Sequence, residues 1–214
     1  MTLFTYFRSS ASYRVRIALA LKRLPHGAIP IHLVRNGGEQ HSAEFASLNP
    51  AHLVPVLMDG PHTMSQSLAI LEYLEERYPE VPLLPTETVG RARVRGLAQS
   101  IACEIHPLNN LRVLQYMERD LHIDEEARAR WYRHWVALGF EAIEHELRTS
   151  PRTGAFCHGD APTIADCCLV PQVYNARRFN VSLDSYPTIV EIVERCDALP
   201  AFRAAAPAVQ ADAA

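Results

Sequence analysis

Leu3-Phe4-Thr5-Tyr6-Phe7-Arg8-Ser9-Ser10-Ala11-Ser12-Tyr13-Arg14-Val15-Arg16-Ile17-Ala18-Leu19 is the stretch that decides the fold. Leu3 to Phe7 is a short apolar and aromatic run, the size of a strand. From Ser12 to Lys22 the spacing turns helical, with Val15, Ala18, Leu19 and Leu21 facing inward. The serines at 9, 10 and 12 stand where the strand ends and the helix begins, and hydroxyls are good caps there. A helix N-terminus also gathers unpaired N–H groups and about half a positive charge. Such a place holds an anion, a thiolate included. Plain capping accounts for the same residues.

Outward from this unit, Ala28 to Leu33 returns to strand character, and Val54 to Met58 is a second apolar run broken by Pro55. Asp59-Gly60-Pro61 is a tight-turn signal, across which His62 to Met64 pairs back. Ser65 to Arg77 reads as helix. The order β-α-β, then β-β-α, predicts a small mixed sheet with helices on its faces. Tyr78-Pro79-Glu80-Val81-Pro82-Leu83-Leu84-Pro85 then stops the helix and stiffens the chain. The expected division is therefore a first domain over 1–80, a linker over 81–87 and an all-helical domain over 88–214. Helices are predicted from Thr88 to Met117, Glu125 to Ser150, Thr163 to Asn175 and Tyr186 to Ala198. The Ala/Pro-rich tail beyond Ala204 is expected to fray.

The chain has 214 residues and a formal net charge of −3, enough for a proper core and too near neutral for nucleic acid as main partner. No apolar stretch approaches the roughly 20 residues of a membrane span, and the N-terminus has no basic n-region or apolar h-region. Five scattered cysteines with no Cys-x-x-Cys pair argue against a disulfide framework, a redox dithiol or a zinc site. A reducing cytoplasm is the expected location, and no metal is expected.

Four further clusters carry candidate chemistry. In Asn49-Pro50-Ala51-His52-Leu53-Val54-Pro55, a proline opening an apolar strand cannot donate to a ladder, and marks either an ordinary edge or a cis peptide exposing the Val54 backbone. In Met64-Ser65-Gln66-Ser67, a helix start offers a carboxylate site at Ser67, or simply a cap. In Glu104-Ile105-His106-Pro107-Leu108-Asn109-Asn110-Leu111-Arg112, the proline kinks or splits a helical pattern. Asn110 is four residues from His106, which predicts a shared face, and Arg112 joins them or snorkels to solvent. In Gly159-Asp160-Ala161-Pro162-Thr163-Ile164-Ala165-Asp166, the Thr and Asp resemble a capping box. The helix it starts ends at Arg177 and Arg178, suited either to a substrate carboxylate or to a solvated helix end.

Taken together, the clusters resemble the zeta class of glutathione transferases, and within it the bacterial maleylacetoacetate isomerases. The resemblance runs from Leu3 to about Phe202. Its most specific parts are Arg8 to Leu19, Gln66-Ser67-Leu68-Ala69-Ile70-Leu71-Glu72-Tyr73-Leu74, Ile105-His106-Pro107-Leu108-Asn109-Asn110-Leu111, and Asp166 through Gln172. It implies an α/β thioredoxin-like N-terminal domain followed by an all-α C-terminal domain, usually as a homodimer. It further implies glutathione as cofactor, held by Ser9, Ser10, Ala11, Val54, Pro55, Gln66 and Ser67. The implied reaction is cis–trans isomerisation of a small dicarboxylate by thiolate addition, rotation and elimination, in aromatic amino acid catabolism. Arg8 and Arg178 are assigned to substrate carboxylates, and His106, Asn110 and Arg112 join Ser9 and Ser10 as catalytic candidates.

Two residues bear on the resemblance. The family's usual Ser-Ser-Cys is here Ser9-Ser10-Ala11, which keeps the Ser9 hydroxyl and removes a polarizable neighbour of the thiol. Leu111 stands where the sister maleylpyruvate isomerases tend to have arginine, which favours maleylacetoacetate. Maleylpyruvate isomerisation, transfer to small α-haloacids and a non-catalytic binding module are the competing expectations.

Overall fold

Chain order in the computed structural model, which describes residues 1–213, is β1 (Thr2–Thr5), α1 (Ser10–Leu21), β2 (Gly27–Pro30), α2 (Ala43–Leu48), β3 (Val56–Asp59), β4 (His62–Ser65) and α3 (Ser67–Arg77). There follow α4 (Thr88–Gln99), α5 (Leu111–Arg119), α6 (Glu125–Thr149), α7 (Ile164–Arg178), α8 (Pro187–Asp197) and α9 (Pro200–Ala205). The chain divides into two units. One comprises Met1–Leu83 together with the tail from Asp197, and the other Leu84–Cys196.

In the first unit the four strands lie in the order β2-β1-β3-β4. β1 runs parallel to β2 and antiparallel to β3, and β3 and β4 form a hairpin with Asp59 opposite His62. The expected mixed sheet is present. Gly60 takes φ +57° in the two-residue turn, a conformation glycine adopts without a Cβ clash. Pro30 ends the exposed edge strand β2, where no ladder donor is required. Val15, Ala18 and Leu19 are fully buried, as the helical spacing predicts, but Leu21 is only half-buried while its neighbour Lys22 is buried.

Lys22 is tolerated inside because every proton of its ammonium is used. Nζ donates to Glu75 Oε2 at 2.8 Å and to the carbonyls of Tyr78 and Val81 at 3.0 and 2.8 Å. Glu75 also accepts from the Leu83 amide at 2.8 Å. A buried pair stands only when its remaining hydrogen-bonding capacity is met, and this one fastens the proline-rich stretch to α1 and α3.

Two expectations fail here. Ser65 lies in β4, so the third helix begins at Ser67. The tail assigned to the helical domain and expected to fray instead packs with the first unit: Phe202 is fully buried, Ala205 and Pro207 are buried, and the Asp212 carboxylate accepts from the Phe7 amide. Alanines and prolines carry no strong pattern, yet little ordering entropy is lost when they are buried.

The second unit is helical. Thr163 and Asp166 form the predicted capping box: Asp166 Oδ2 accepts from the Thr163 amide at 2.7 Å and its hydroxyl at 2.8 Å. Asp166 Oδ1 accepts from the Cys157 amide at 2.9 Å. Burial pushes the Asp166 carboxyl up, and these donors oppose the shift. The predicted helix from Thr88 to Met117 is split, as Pro107 demands. α4 widens into a π turn over Ser100–Ile105, Pro107–Asn109 is a 3₁₀ turn, and α5 starts afresh. Gly139 of α6 admits this turn, since a Cβ there would lie 2.3 Å from Ile105 Cδ1. Among the described residues no helix is long and apolar enough to cross a membrane.

Candidate active site

Ser9 is the N-cap of α1, with extended backbone at φ −69° and ψ 117°. Its Oγ accepts from the Ser12 amide at 3.2 Å, and its carbonyl accepts from the Tyr13 amide at 2.8 Å. The capping expectation holds, and Ser9 remains half-exposed with an oxygen lone pair to spare. Ser10 is buried and Ala11 half-buried in the first turn, where helix geometry leaves amides without intrahelical acceptors. Arg8 is exposed, its guanidinium 4.8 Å from the Phe7 ring centre.

The Val54–Pro55 peptide is cis, the second of the two alternatives open in the sequence. Val54 is buried in a cluster with Tyr6, Phe7, Phe45 and Val56. Gln66 takes φ 70° and ψ 112°, a region that costs an ordinary residue on the order of 1–3 kcal/mol. It is exposed and makes no side-chain cap, so its amide is not spent on the helix. Ser67 does not cap either. It is buried, and its Oγ accepts from Arg14 Nη1 at 3.2 Å. A buried cation under a helix N-terminus is a fitting base for a carboxylate.

Arg14 and Arg16 are the residues whose roles sequence reasoning missed. Both are buried, at 2% and 3% exposure, on a helix otherwise read for its aliphatic face. The available signal was two arginines interleaved with Val15 and Ile17, leaving neither face of that turn free for solvent. Arg16 Nη1 donates to Thr5 Oγ1 and the Tyr6 carbonyl at 3.0 and 3.3 Å, and Nη2 to the Phe7 carbonyl at 3.0 Å. It thereby grips the loop that leads into Ser9.

In the helical unit, His106 closes the π turn, its amide donating to the Ile101 carbonyl at 2.9 Å. Asn110 does not share its face. The helix has ended, Asn110 is extended at φ −66° and ψ 147°, and its Oδ1 caps α5 by accepting from the Arg112 amide at 3.1 Å. The four-residue rule requires continuous helix, and Pro107 removes it. Arg112 is exposed. Arg178 is exposed near the end of α7, donates to Asn175 Oδ1 at 3.1 Å and lies 5.3 Å from the Phe179 ring centre. Phe179 stacks on the buried Tyr132, whose phenol burial pushes up in pKa.

Burial pushes the Cys157 and Cys167 thiols well above the ordinary range, so neither offers a competing nucleophile. A hollow of about 740 Å³ opens on the first unit between the β3–β4 turn and α3, over Asp59, Tyr73, Arg77 and Tyr78. None of the residues expected at the site lines it. Tyr78 and Tyr73 donate to its Asp59 carboxylate at 2.6 and 2.8 Å and hold it below the usual carboxylate range.

Residues 3–82 match the family model for the glutathione S-transferase N-terminal domain, and residues 125–211 match that for the C-terminal domain. A probable maleylacetoacetate isomerase of Vibrio cholerae is 51% identical over 213 residues, covering 100% of this chain and 98% of that protein. The holo structure of a maleyl pyruvate isomerase, a bacterial zeta-class glutathione S-transferase, superimposes with a TM-score of 0.97 at 46% identity over the whole of both chains. A maleylacetoacetate isomerase from Methylobacterium extorquens with bound malonate and GSH superimposes with a TM-score of 0.96 at 38% identity, also over both whole chains. The thioredoxin-like sheet with its α1 cap, the helical unit and these likenesses agree: the chain belongs to the zeta class of the glutathione S-transferase family.

Proposed function

We propose that this chain is a glutathione-dependent cis–trans isomerase acting on maleylacetoacetate to form fumarylacetoacetate. The observation that carries the reading is the chemistry of the first unit, where Ser9 at the α1 N-terminus suits the thiol of glutathione and Ser67 over the buried Arg14 suits its γ-glutamyl carboxylate. When bound, glutathione supplies a thiolate that adds to the cis double bond and departs after rotation about the resulting single bond.

The protein's own groups do the rest. The α1 N-terminus and the Ser9 hydroxyl stabilise negative charge on sulfur and so lower the thiol pKa. The Val54 backbone, freed from the sheet by Pro55, aligns the peptide part. Gln66 and Ser67 hold the γ-glutamyl carboxylate. Arg8 and Arg178 are the residues assigned to the carboxylates of the substrate. His106, Asn110 and Arg112 stabilise developing charge, Asn110 through its Nδ2 donors, since its Oδ1 is engaged in the α5 cap.

Maleylpyruvate is the second reading, since relatives of both names lie at similar identity, 51% and 47%. Leu111, half-buried at the start of α5, favours the larger keto acid. The test follows both maleyl substrates with and without glutathione. Glutathione-dependent turnover of maleylacetoacetate well above maleylpyruvate supports the reading, the reverse moves the substrate, and no turnover of either with glutathione bound returns it to haloacid transfer or a binding module. A homodimer working in the cytoplasm in aromatic amino acid breakdown completes the proposal, and light scattering on the purified chain checks the dimer.

A further inference from the structure

The loop that delivers Ser9 is held from the far end of the chain. Arg16 Nη1 and Nη2 bind the Tyr6 and Phe7 carbonyls, and its Nε donates to the Ala205 carbonyl at 3.0 Å. Asp212 Oδ2 takes the Phe7 amide at 2.9 Å, across 205 positions of sequence. The tail that brings Asp212 there is itself built. Gln210 Nε2 donates to the Ala204 and Ala206 carbonyls at 3.0 Å each, Phe202 is fully buried, and Ala213 packs against the cluster of Tyr6, Phe7 and Val54. Ser9 is anchored in turn by its amide, which donates to the Tyr6 carbonyl at 3.0 Å. The bonds at Tyr6 and Phe7 thus stand directly behind the hydroxyl proposed to meet sulfur.

We infer that the C-terminal tail is part of the thiol site, with Asp212 and Arg16 as positioning residues that set where Ser9 and the first turn of α1 face bound glutathione. The inference rests on the glutathione reading above. A short loop with free carbonyls and a free amide wanders by an ångström or more, and a misplacement of that size costs up to about a hundredfold in rate. A guanidinium fork on two successive carbonyls, with a carboxylate on the intervening amide, removes that freedom at the two residues where it matters. Arg16 holds the loop from α1 and Asp212 arrives from the tail, so the grip is complete only when the tail is docked.

The test titrates the ultraviolet thiolate absorbance of glutathione bound to wild type and to Asp212→Ala, Asp212→Asn and Asp212→Glu. Asp212 is partly exposed, so none of these opens a void, and melting curves confirm folding. Asp212→Ala is expected to raise the apparent thiol pKa by about one unit, a tenfold loss of thiolate, and to lower kcat about tenfold with KM for the diacid within twofold. Asp212→Asn keeps an acceptor oxygen and restores both values. Asp212→Glu keeps the charge but displaces the acceptor, and shifts as Ala does. Equal thiol pKa in wild type and Asp212→Ala overturns the inference, as does an Asn variant that shifts like Ala, which would show that an acceptor oxygen on the Phe7 amide does not set the thiol. Failure of wild type to bind glutathione by calorimetry sinks the parent reading instead, so the two failures are distinguishable.

Discussion

Arg14 reaches from α1 to Ser67 at the start of α3 and donates to its Oγ at 3.2 Å, both side chains buried. The bond links α1 to the first residue of α3, and the starts of these two helices are the places proposed to face sulfur and a carboxylate. A hydrogen bond to a charged group contributes about 1.5–3 kcal/mol. Ser67→Ala is therefore expected to lower unfolding free energy by that order and to raise the Kd for glutathione about tenfold, or 1.4 kcal/mol. Ser67→Thr keeps the hydroxyl and recovers most of the loss. Urea melts and calorimetry read the two effects separately, and an unchanged Kd in Ser67→Ala would remove Ser67 from the binding assignment.

Ser9 caps α1 and is proposed to have a second duty at the thiol. Its Oγ caps α1, a bond whose loss costs about 1 kcal/mol of stability. The same oxygen is proposed to stabilise the thiolate, and removing such a donor lowers kcat about a hundredfold or more. Ser9→Ala should show both losses, and Ser9→Thr neither. A Ser9→Ala enzyme with wild-type kcat and a lowered melting point would leave Ser9 a cap alone.

Arg8 and Arg178 are exposed, so replacing them leaves the fold intact. Arg8→Ala and Arg178→Ala are each expected to raise KM for the diacid about tenfold or more, the worth of a charge-assisted pair, with glutathione affinity within twofold. Wild-type KM in both would withdraw the carboxylate assignment.

Asp166 predicts a stability effect with no direct catalytic part. Asp166→Ala would leave the Thr163 and Cys157 amides buried without their acceptor, at a cost of about 2–4 kcal/mol. Asp166→Asn, retaining one acceptor oxygen, should lose less. Thermal melts check the order.

His158 carries a pH dependence. Burial first, and then the charges of Arg93 and Arg152, hold its imidazole below the ordinary 6.5. Arg93 Nη1 lies 3.3 Å from His158 Nδ1 and donates to the Cys157 carbonyl at 2.7 Å, while Nη2 donates to Thr153 Oγ1 at 2.9 Å. With the folded pKa depressed, the neutral ring's contribution is complete above the unfolded value and fades as pH falls toward the folded one. The melting temperature should therefore decline as pH drops below 6.5, and His158→Gln should flatten that decline. An equal slope in both proteins would place the titration elsewhere.

The element order, the β3–β4 hairpin, the Thr163–Asp166 cap and the break at Pro107 were legible because each is a local matter of spacing, turn chemistry or a missing N–H. Ser9, Gln66 and Ser67 were legible too, as residues at helix starts, and the family likeness agrees with the architecture they imply. Local rules failed where the chain left one regular element. Asn110 lost its shared face with His106 at the 3₁₀ turn, and Ser65 fell to the strand side of its boundary. Tertiary structure alone decided that Lys22, Arg14 and Arg16 are inside, because a buried charge is stable only with partners brought from elsewhere: Glu75, Ser67 and the Thr5–Phe7 loop. It alone decided that the tail docks on that loop, since no periodicity in alanine and proline can specify a bond from Asp212 to the amide of Phe7, 205 residues away.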